Sequence, residues 1–219
     1  MSGANRVTTK VKICGLKTEA DIDVAIENGA DYIGLVFFDP SPRTLTIPVA
    51  ARLAQHIRGR ARIVALTVNA ENKLIEQITN EVGPDIFQLH GGESIERVTA
   101  IAQLTKRETM KVIKVETAAD AETAFTYSSI ADHILFDAKA PKDSPIPGGN
   151  GLSFDWRALD GIGARMTYML SGGLNPDNVA AAIRLTGAAA VDVSSGVEAK
   201  PGKKDPARIR AFLHAVKSL

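Results

Sequence analysis

The 219-residue chain has one cysteine, Cys14, so no disulfide can form within it, and no Cys/His group has the spacing of a structural zinc site. A reducing, cytoplasmic setting is expected. No apolar run reaches the length of about 18 residues that a membrane-spanning helix needs. The start, Met1-Ser2-Gly3-Ala4-Asn5-Arg6, lacks the apolar stretch of a signal peptide, so the expected protein is soluble and unprocessed. Charge of one sign is also missing. Twenty-six Lys plus Arg against 25 Asp plus Glu leave +1, too little for the broad attraction that non-specific binding to nucleic acid or anionic lipid requires. Any anion the protein binds must be met locally. Charge runs, low-complexity tracts and interdomain linkers are absent too, as are the Walker and Gly-x-Gly-x-x-Gly spacings of nucleotide sites.

What is present is an alternation. Apolar runs rich in β-branched residues recur at 11–16, 32–38, 62–68, 85–91, 111–116, 133–138, 168–174 and 190–197, eight in all. Between most of them lie segments with helical spacing, such as Ala20, Val24 and Ile26, or Leu74, Ile75 and Ile78. Thr18 with Asp21, Ser94, Asn175-Pro176 and Asp205-Pro206 mark helix starts, where a side-chain oxygen or a first-turn proline meets free N–H groups. Strand and helix in alternation mean parallel strands with crossover helices. Eight units in 219 residues predict an α/β fold of the (β/α)₈ barrel type over residues 11–219, with residues 1–10 as a flexible tail; a doubly wound sheet usually has fewer strands. Residues 139–153, which carry three prolines and three glycines after the sixth strand, read as an active-site loop.

Strand phase then selects candidates. With Val11 and Ile13 outward, Lys12 and Cys14 face the barrel interior; by the same alternation Gln88 and His90, Asp137, and Asp192 and Ser194 point inward near the C-terminal, catalytic ends of their strands. From the residues alone Cys14 is equally a small buried hydrophobe or a nucleophile or base with a lowered pKa. Asp137, partly desolvated under a loop, is expected to have a raised pKa and to keep a proton for general-acid work, with Lys139 as the competing ion-pair partner. Gln88 and His90 read first as a hydrogen-bonded interior pair, and Lys12, Lys114 and Glu116 as groups that pair inside the barrel. Arg43, between two prolines and the next strand, could clamp a carboxylate, although a solvated loop arginine is the commoner case. His56, His133 and His214 carry no expected chemistry.

Ser171-Gly172-Gly173-Leu174 and Ser194-Ser195-Gly196-Val197 follow strands 7 and 8, where this fold commonly binds phosphate with backbone N–H groups. Either turn alone is more often only a turn. Together they point to a phosphosugar rather than a nucleotide.

Taken in order, Lys12-Ile13-Cys14-Gly15-Leu16, Ser41-Pro42-Arg43, Gln88-Leu89-His90-Gly91, Phe136-Asp137, Pro147-Gly148-Gly149, Ser171-Gly172-Gly173-Leu174 and Asp192-Val193-Ser194-Ser195-Gly196-Val197-Glu198 resemble the phosphoribosylanthranilate isomerases of tryptophan biosynthesis. The resemblance implies an Amadori rearrangement without cofactor or metal, in a cytoplasmic monomer or homodimer. It makes Asp137 the general acid and Cys14 the general base. It places Arg43 on the anthranilate carboxylate, Asp192 on a sugar hydroxyl, Gln88 and His90 toward the substrate, and Gly172, Gly173, Ser194, Ser195 and Gly196 on the phosphate. Two positions depart from the pattern: Asn150 stands where the family loop usually has threonine, and Thr67 where an apolar residue is expected. The competing enzymes on this fold ask for other residues: an indole-glycerol-phosphate synthase needs a lysine acid with a glutamate partner, and a pentose-phosphate epimerase needs paired aspartates with metal-binding histidines. A catalytically silent phosphosugar-binding barrel would need both glycine turns but neither Cys14 nor Asp137.

Overall fold

The computed structural model describes residues 8–140, 144, 147–149 and 151–219. Eight parallel strands close into a barrel in sequence order, β1 pairing with β8. They are β1 Lys10–Cys14, β2 Tyr32–Phe37, β3 Arg62–Thr67, β4 Ile86–Leu89, β5 Glu108–Val115, β6 His133–Ala138, β7 Met169–Leu170 and β8 Ala190–Val193. Lys10, placed in the tail by the sequence, is the first strand residue and sits opposite Ala190. Residues 1–7, the rest of that tail, lie outside the described residues.

Alternation divides the strand side chains. Ile13, Ile33, Ala65, Phe87, Phe136 and Val191 pack outward under the helices, while Tyr32, Val64, Ile86, Met110, Val112, Leu135 and Met169 fill the barrel. The helices are α1 Glu19–Glu27, α2 Ile47–Ile57, α3 Asn72–Gln77, α4 Ile95–Thr105, α5 Ala118–Glu122, α6 Ala124–Tyr127, α7 Val179–Thr186 and α8 Pro206–Lys217. α2 shows why they dock: Ile47, Ala50, Leu53, Ala54 and Ile57 recur three or four residues apart and are all buried. In α1 the buried face is Ile22 and Ala25, rotated from the expected Ala20. Thr18, Ser94 and Asp205 accept bonds from first-turn N–H groups, as read from the sequence. Asn175 instead takes the N–H groups of Asp177 and Asn178 in a turn, and α7 starts only at Val179.

Two differences from the expected pattern have local causes. Between β6 and β7 the described residues form 3-10 turns, Trp156–Leu159 and Ile162–Ala164, rather than an α-helix. Gly161, at φ 78°, breaks the run between them. β7 stops at Leu170 because Gly172 and Gly173 take φ 90° and 64°, which turns the chain across the barrel mouth. After β8 the chain adds a small antiparallel hairpin, β9 Glu198–Lys200 and β10 Lys203–Lys204. No helix of the described residues is long and apolar enough to cross a membrane.

Candidate active site

A cavity at the C-terminal mouth of the barrel is lined by Cys14, Arg43, His90, Asp137, Gly172, Gly173, Asp192, Ser194 and Ser195. The β-strand period of two thus brings to one mouth residues as far apart in sequence as Cys14 and Ser195. Two of the expected site residues do not line the cavity. Gln88 is buried one layer below, under His90. Gly196 packs so closely on the backbone of Leu174 that no Cβ fits there, while its N–H belongs to the first turn of Ser195–Val197.

Asp137 is 5 % exposed and fully bonded. Its Oδ2 lies 3.1 Å from His90 Nε2 and accepts from Lys114 Nζ at 3.2 Å, while Oδ1 accepts from the Ala138 N–H at 3.0 Å. Burial alone would push this carboxyl up. The His90 hydrogen bond and the Lys114 charge outweigh burial and bring it down to about 2. The expectation of a raised Asp137 is therefore corrected, because its two partners come from elsewhere in the barrel, His90 just past the end of β4 and Lys114 on β5. Lys139, the competing partner, pairs with Glu116 at 3.2 Å instead. The loop closes over the acid: a Cβ on Gly148 would lie 2.5 Å from His90 Nε2 and 2.7 Å from Asp137 Oδ2, so only glycine fits there. Lys114 also donates to the Pro147 carbonyl, which fixes that end of the loop. Asn150 falls outside the described residues.

Cys14 is corrected in the opposite sense. Its thiol is pushed up rather than down, because burial dominates; Lys12 and Lys204 lower it, but Asp192 raises it. Lys12, with no exposed surface, is engaged by Asp192 Oδ1 at 2.9 Å, so the nearest cation is largely neutralised. Asp192 Oδ2 also accepts from Ser171 Oγ at 3.3 Å.

Arg43 is neither solvated nor free. It is 5 % exposed and forks onto Glu198, with Nε to Oε1 at 2.8 Å and Nη2 to Oε2 at 2.9 Å; Nη2 also reaches the Gly149 carbonyl at 3.2 Å. Nη1 has no acceptor among the described residues and faces the loop, 2.6 Å from where a Cβ on Gly149 would lie. Glu198 Oε1 takes a second cation, Lys204 Nζ, at 3.0 Å. Lys204 in turn donates to the Ser194 carbonyl at 2.8 Å, and Ser194 Oγ donates to the Cys14 carbonyl at 3.1 Å. The β9–β10 hairpin thus ties the arginine to the β8 turn and to β1. Glu198 closes the motif Asp192-Val193-Ser194-Ser195-Gly196-Val197-Glu198 but was given no role from the sequence, and Lys204 was not singled out.

The N–H groups of Gly172 and Gly173 have no protein acceptor among the described residues, and Ser195 opens the 3-10 turn Ser195–Val197, whose first N–H groups are unpaired by geometry. Gly172, Gly173 and Ser195 all line the same cavity. Among the described residues no group of three or more His, Cys, Asp or Glu could hold a metal ion. His56 and His214 stand on α2 and α8 and His133 opens β6, where the sequence placed them; His56 pairs with Asp23 and His133 with Glu108. Glu116, expected inside, is at the surface.

A fully buried carboxylate and thiol face one mouth with a forked guanidinium and unpaired N–H groups, and comparison with known proteins gives this set a family. Residues 11–215 match the model of N-(5′-phosphoribosyl)anthranilate isomerase. The isomerase of Rhizobium etli is 52% identical over 206 residues, covering 94% of this chain and 93% of that protein. That of Bradyrhizobium diazoefficiens is 48% identical over 95% of this chain and 93% of its own length. Among solved structures, the isomerase of Thermotoga maritima superposes with TM-score 0.87 at 37% identity, over 96% of this chain and all of that one. A phosphoribosyl anthranilate isomerase in complex with reduced 1-(o-carboxyphenylamino)-1-deoxyribulose 5-phosphate superposes with TM-score 0.84 at 35% identity. With a family model spanning nearly the whole chain and relatives sharing about half its residues, the chain belongs to the phosphoribosylanthranilate isomerase family.

Proposed function

We propose that this member of the family converts N-(5′-phosphoribosyl)anthranilate to 1-(2-carboxyphenylamino)-1-deoxyribulose 5-phosphate by general acid/base catalysis, with Asp137 as acid and Cys14 as base. The observation that carries the reading is the placement of these two buried titratable groups in one cavity, between an arginine and a set of unpaired N–H groups. The substrate is an anion at both ends, and the site offers a donor for each. Gly172, Gly173, Ser194 and Ser195 take the phosphate, and Arg43, held by Glu198, presents Nη1 to the anthranilate carboxylate. Asp192 holds a sugar hydroxyl.

Asp137 gives a proton to the furanose ring oxygen as the C1′–O bond breaks, and the nitrogen lone pair forms the C1′=N iminium. Cys14 as thiolate removes the C2′ proton, whose bond electrons form the C1′=C2′ bond of an enolamine. Protonation at C1′ and loss of the C2′ hydroxyl proton give the ketone. The free site rests in the reverse protonation state. His90 and Lys114 hold Asp137 ionised, with its carboxyl at about 2, while burial pushes the Cys14 thiol up, so the free site disfavours both the acid and the thiolate. The acid role therefore requires that substrate binding move a proton onto Asp137, since both of its partners favour the carboxylate in the free site.

The test is the fluorescence decay of freshly made phosphoribosylanthranilate on adding the purified protein. Decay is expected, and a flat trace with folded protein would end this reading in favour of a silent phosphosugar-binding barrel. A cytoplasmic setting goes with it, because Cys14 is free, buried and placed to work as a thiol. The chain works as a monomer or a homodimer; a structure of monomers made from the dimeric Thermotoga maritima isomerase is among the matches, and the mass by sedimentation in solution decides between the two.

A further inference from the structure

We propose that Gln88 and His90 form a two-position proton switch beneath Asp137, in which the amide turns over as the imidazole changes its protonation, so that the carboxyl can be loaded with a proton and unloaded. The inference rests on the acid role given to Asp137. It begins from a buried atom without a partner: Gln88 has no exposed surface, its Nε2 lies 3.0 Å from His90 Nδ1, and its Oε1 finds no hydrogen bond among the described residues. A buried amide oxygen left unpaired is unfavourable, and half a turn of the amide would pair it with a proton on Nδ1.

In the unloaded position the Gln88 amide donates to Nδ1, and His90 Nε2–H donates to the Asp137 carboxylate. Burial and the Lys114 charge keep the imidazole neutral there. Half a turn of the amide places Oε1 on Nδ1 instead, and Nδ1 must then carry a proton. The trio now holds two protons, one on Nδ1 donating to Oε1 and one shared between Nε2 and Asp137 Oδ2. The two positions differ by one proton, taken from solvent, and no bond between heavy atoms changes. Delivery of the shared proton through Asp137 to the ring oxygen leaves the one on Nδ1; solvent takes that proton and supplies one to Nε2 as the amide turns back, which restores the unloaded position.

The surrounding charges say when the switch moves. Lys114 of β5 donates to Oδ2, Lys12 of β1 bears on the imidazole, and Cys14 faces the same cavity, so in the free site the added proton meets two cations. An anionic ligand offsets them and makes proton uptake easier. A closed-ring sugar adds a second bias, because its ether oxygen can only accept a hydrogen bond and asks Asp137 for a proton. The open-chain product carries a hydroxyl at the same place and donates to the carboxylate.

The experiment compares two ligands by ¹⁵N NMR of histidine-labelled protein: the cyclic ether 1,4-anhydroribitol 5-phosphate, and the reduced open-chain product bound in a solved relative. The expected result is an unprotonated Nδ1 in the free protein and in the open-chain complex, and a protonated Nδ1 in the cyclic-ether complex. An unprotonated Nδ1 in all three overturns the switch. Kinetics supply a second readout: Gln88→Leu, which removes Oε1, should lower kcat at least tenfold with KM within about twofold, and Gln88→Glu, which keeps an acceptor on Nδ1, should recover most of the loss. Parental kcat in Gln88→Leu overturns the switch as well, and if that variant does not fold, the NMR comparison decides on the unaltered chain. Failure of the underlying reading looks different: full turnover in Asp137→Asn removes the acid role whatever His90 does.

Discussion

Cys14 on β1 and Asp137 on β6 occupy matching places, each at the mouth end of a strand, each almost wholly buried, each with a lysine near. Burial pushes both groups up, yet they end on opposite sides of their ordinary values. The difference lies in what each lysine is already doing. Lys12 is engaged by Asp192, so the thiol meets a pair that is nearly neutral, with the carboxylate working against ionisation. Asp137 has Lys114 and the His90 N–H directed at one of its oxygens and a backbone N–H at the other. A nearby cation sets a pKa only to the extent that no other anion has claimed it.

The largest way to break the comparison is to remove either group. Asp137→Asn and Cys14→Ala should each cut turnover of phosphoribosylanthranilate by about two to four orders of magnitude while unfolding stays cooperative; near-parental rates in either would remove that residue from the mechanism. Next comes the frame behind Arg43. Glu198→Ala leaves two buried cations without their carboxylate and should cost about 3–5 kcal/mol in denaturant unfolding, whereas a midpoint shift near zero would mean that the fork holds nothing. Arg43→Ala should raise KM at least about tenfold, from loss of a charge-assisted contact of roughly 1.5–3 kcal/mol. It should also lower stability, because the guanidinium is buried rather than solvated as the sequence suggested.

Asp137 makes a comparable, pH-dependent contribution. Its carboxyl falls from 3.8 to about 2 on folding, which corresponds to about 2 kcal/mol present above pH 4 and lost as pH falls toward 2. Unfolding curves of the parent and Asp137→Asn should therefore converge as the solution is acidified, and a constant gap would assign the stability to something else. Asp192→Asn sharpens the comparison from the other side. Freed from its carboxylate, Lys12 should lower the Cys14 pKa, so alkylation of Cys14 at a fixed neutral pH should speed up; an unchanged rate would show that Lys12 does not reach the thiol. The smallest effect belongs to the exposed Arg157–Asp155 pair, where Arg157→Ala should leave the unfolding midpoint in place.

What could be read in the chain follows the same division. The eight strands, their inward residues and the glycine turns were legible because each is a local pattern: period two along a strand, positive φ after it. Lys12, Cys14, Gln88, His90, Asp137 and Asp192 all point where the alternation puts them. The missing helix between β6 and β7 was hidden because a single glycine, Gly161, interrupts an otherwise helical run. The fork of Arg43 on Glu198 joins residues 155 apart, and no local pattern announces it. The Asp137 direction was misread for that reason, since its partners His90 and Lys114 are 47 and 23 residues away in the chain. The thiol, by contrast, is pushed up chiefly by burial, the buried-hydrophobe side of what the sequence left even.

The most direct measurement follows both groups in one sample of the unliganded protein, Asp137 by ¹³C NMR of labelled aspartate and Cys14 by its pH-dependent rate of alkylation. The account predicts an Asp137 carboxylate that stays ionised down to a pH near 2 and a Cys14 that is still a thiol at neutral pH. An Asp137 that holds its proton near neutrality, or a Cys14 that already reacts there as a thiolate, would contradict it.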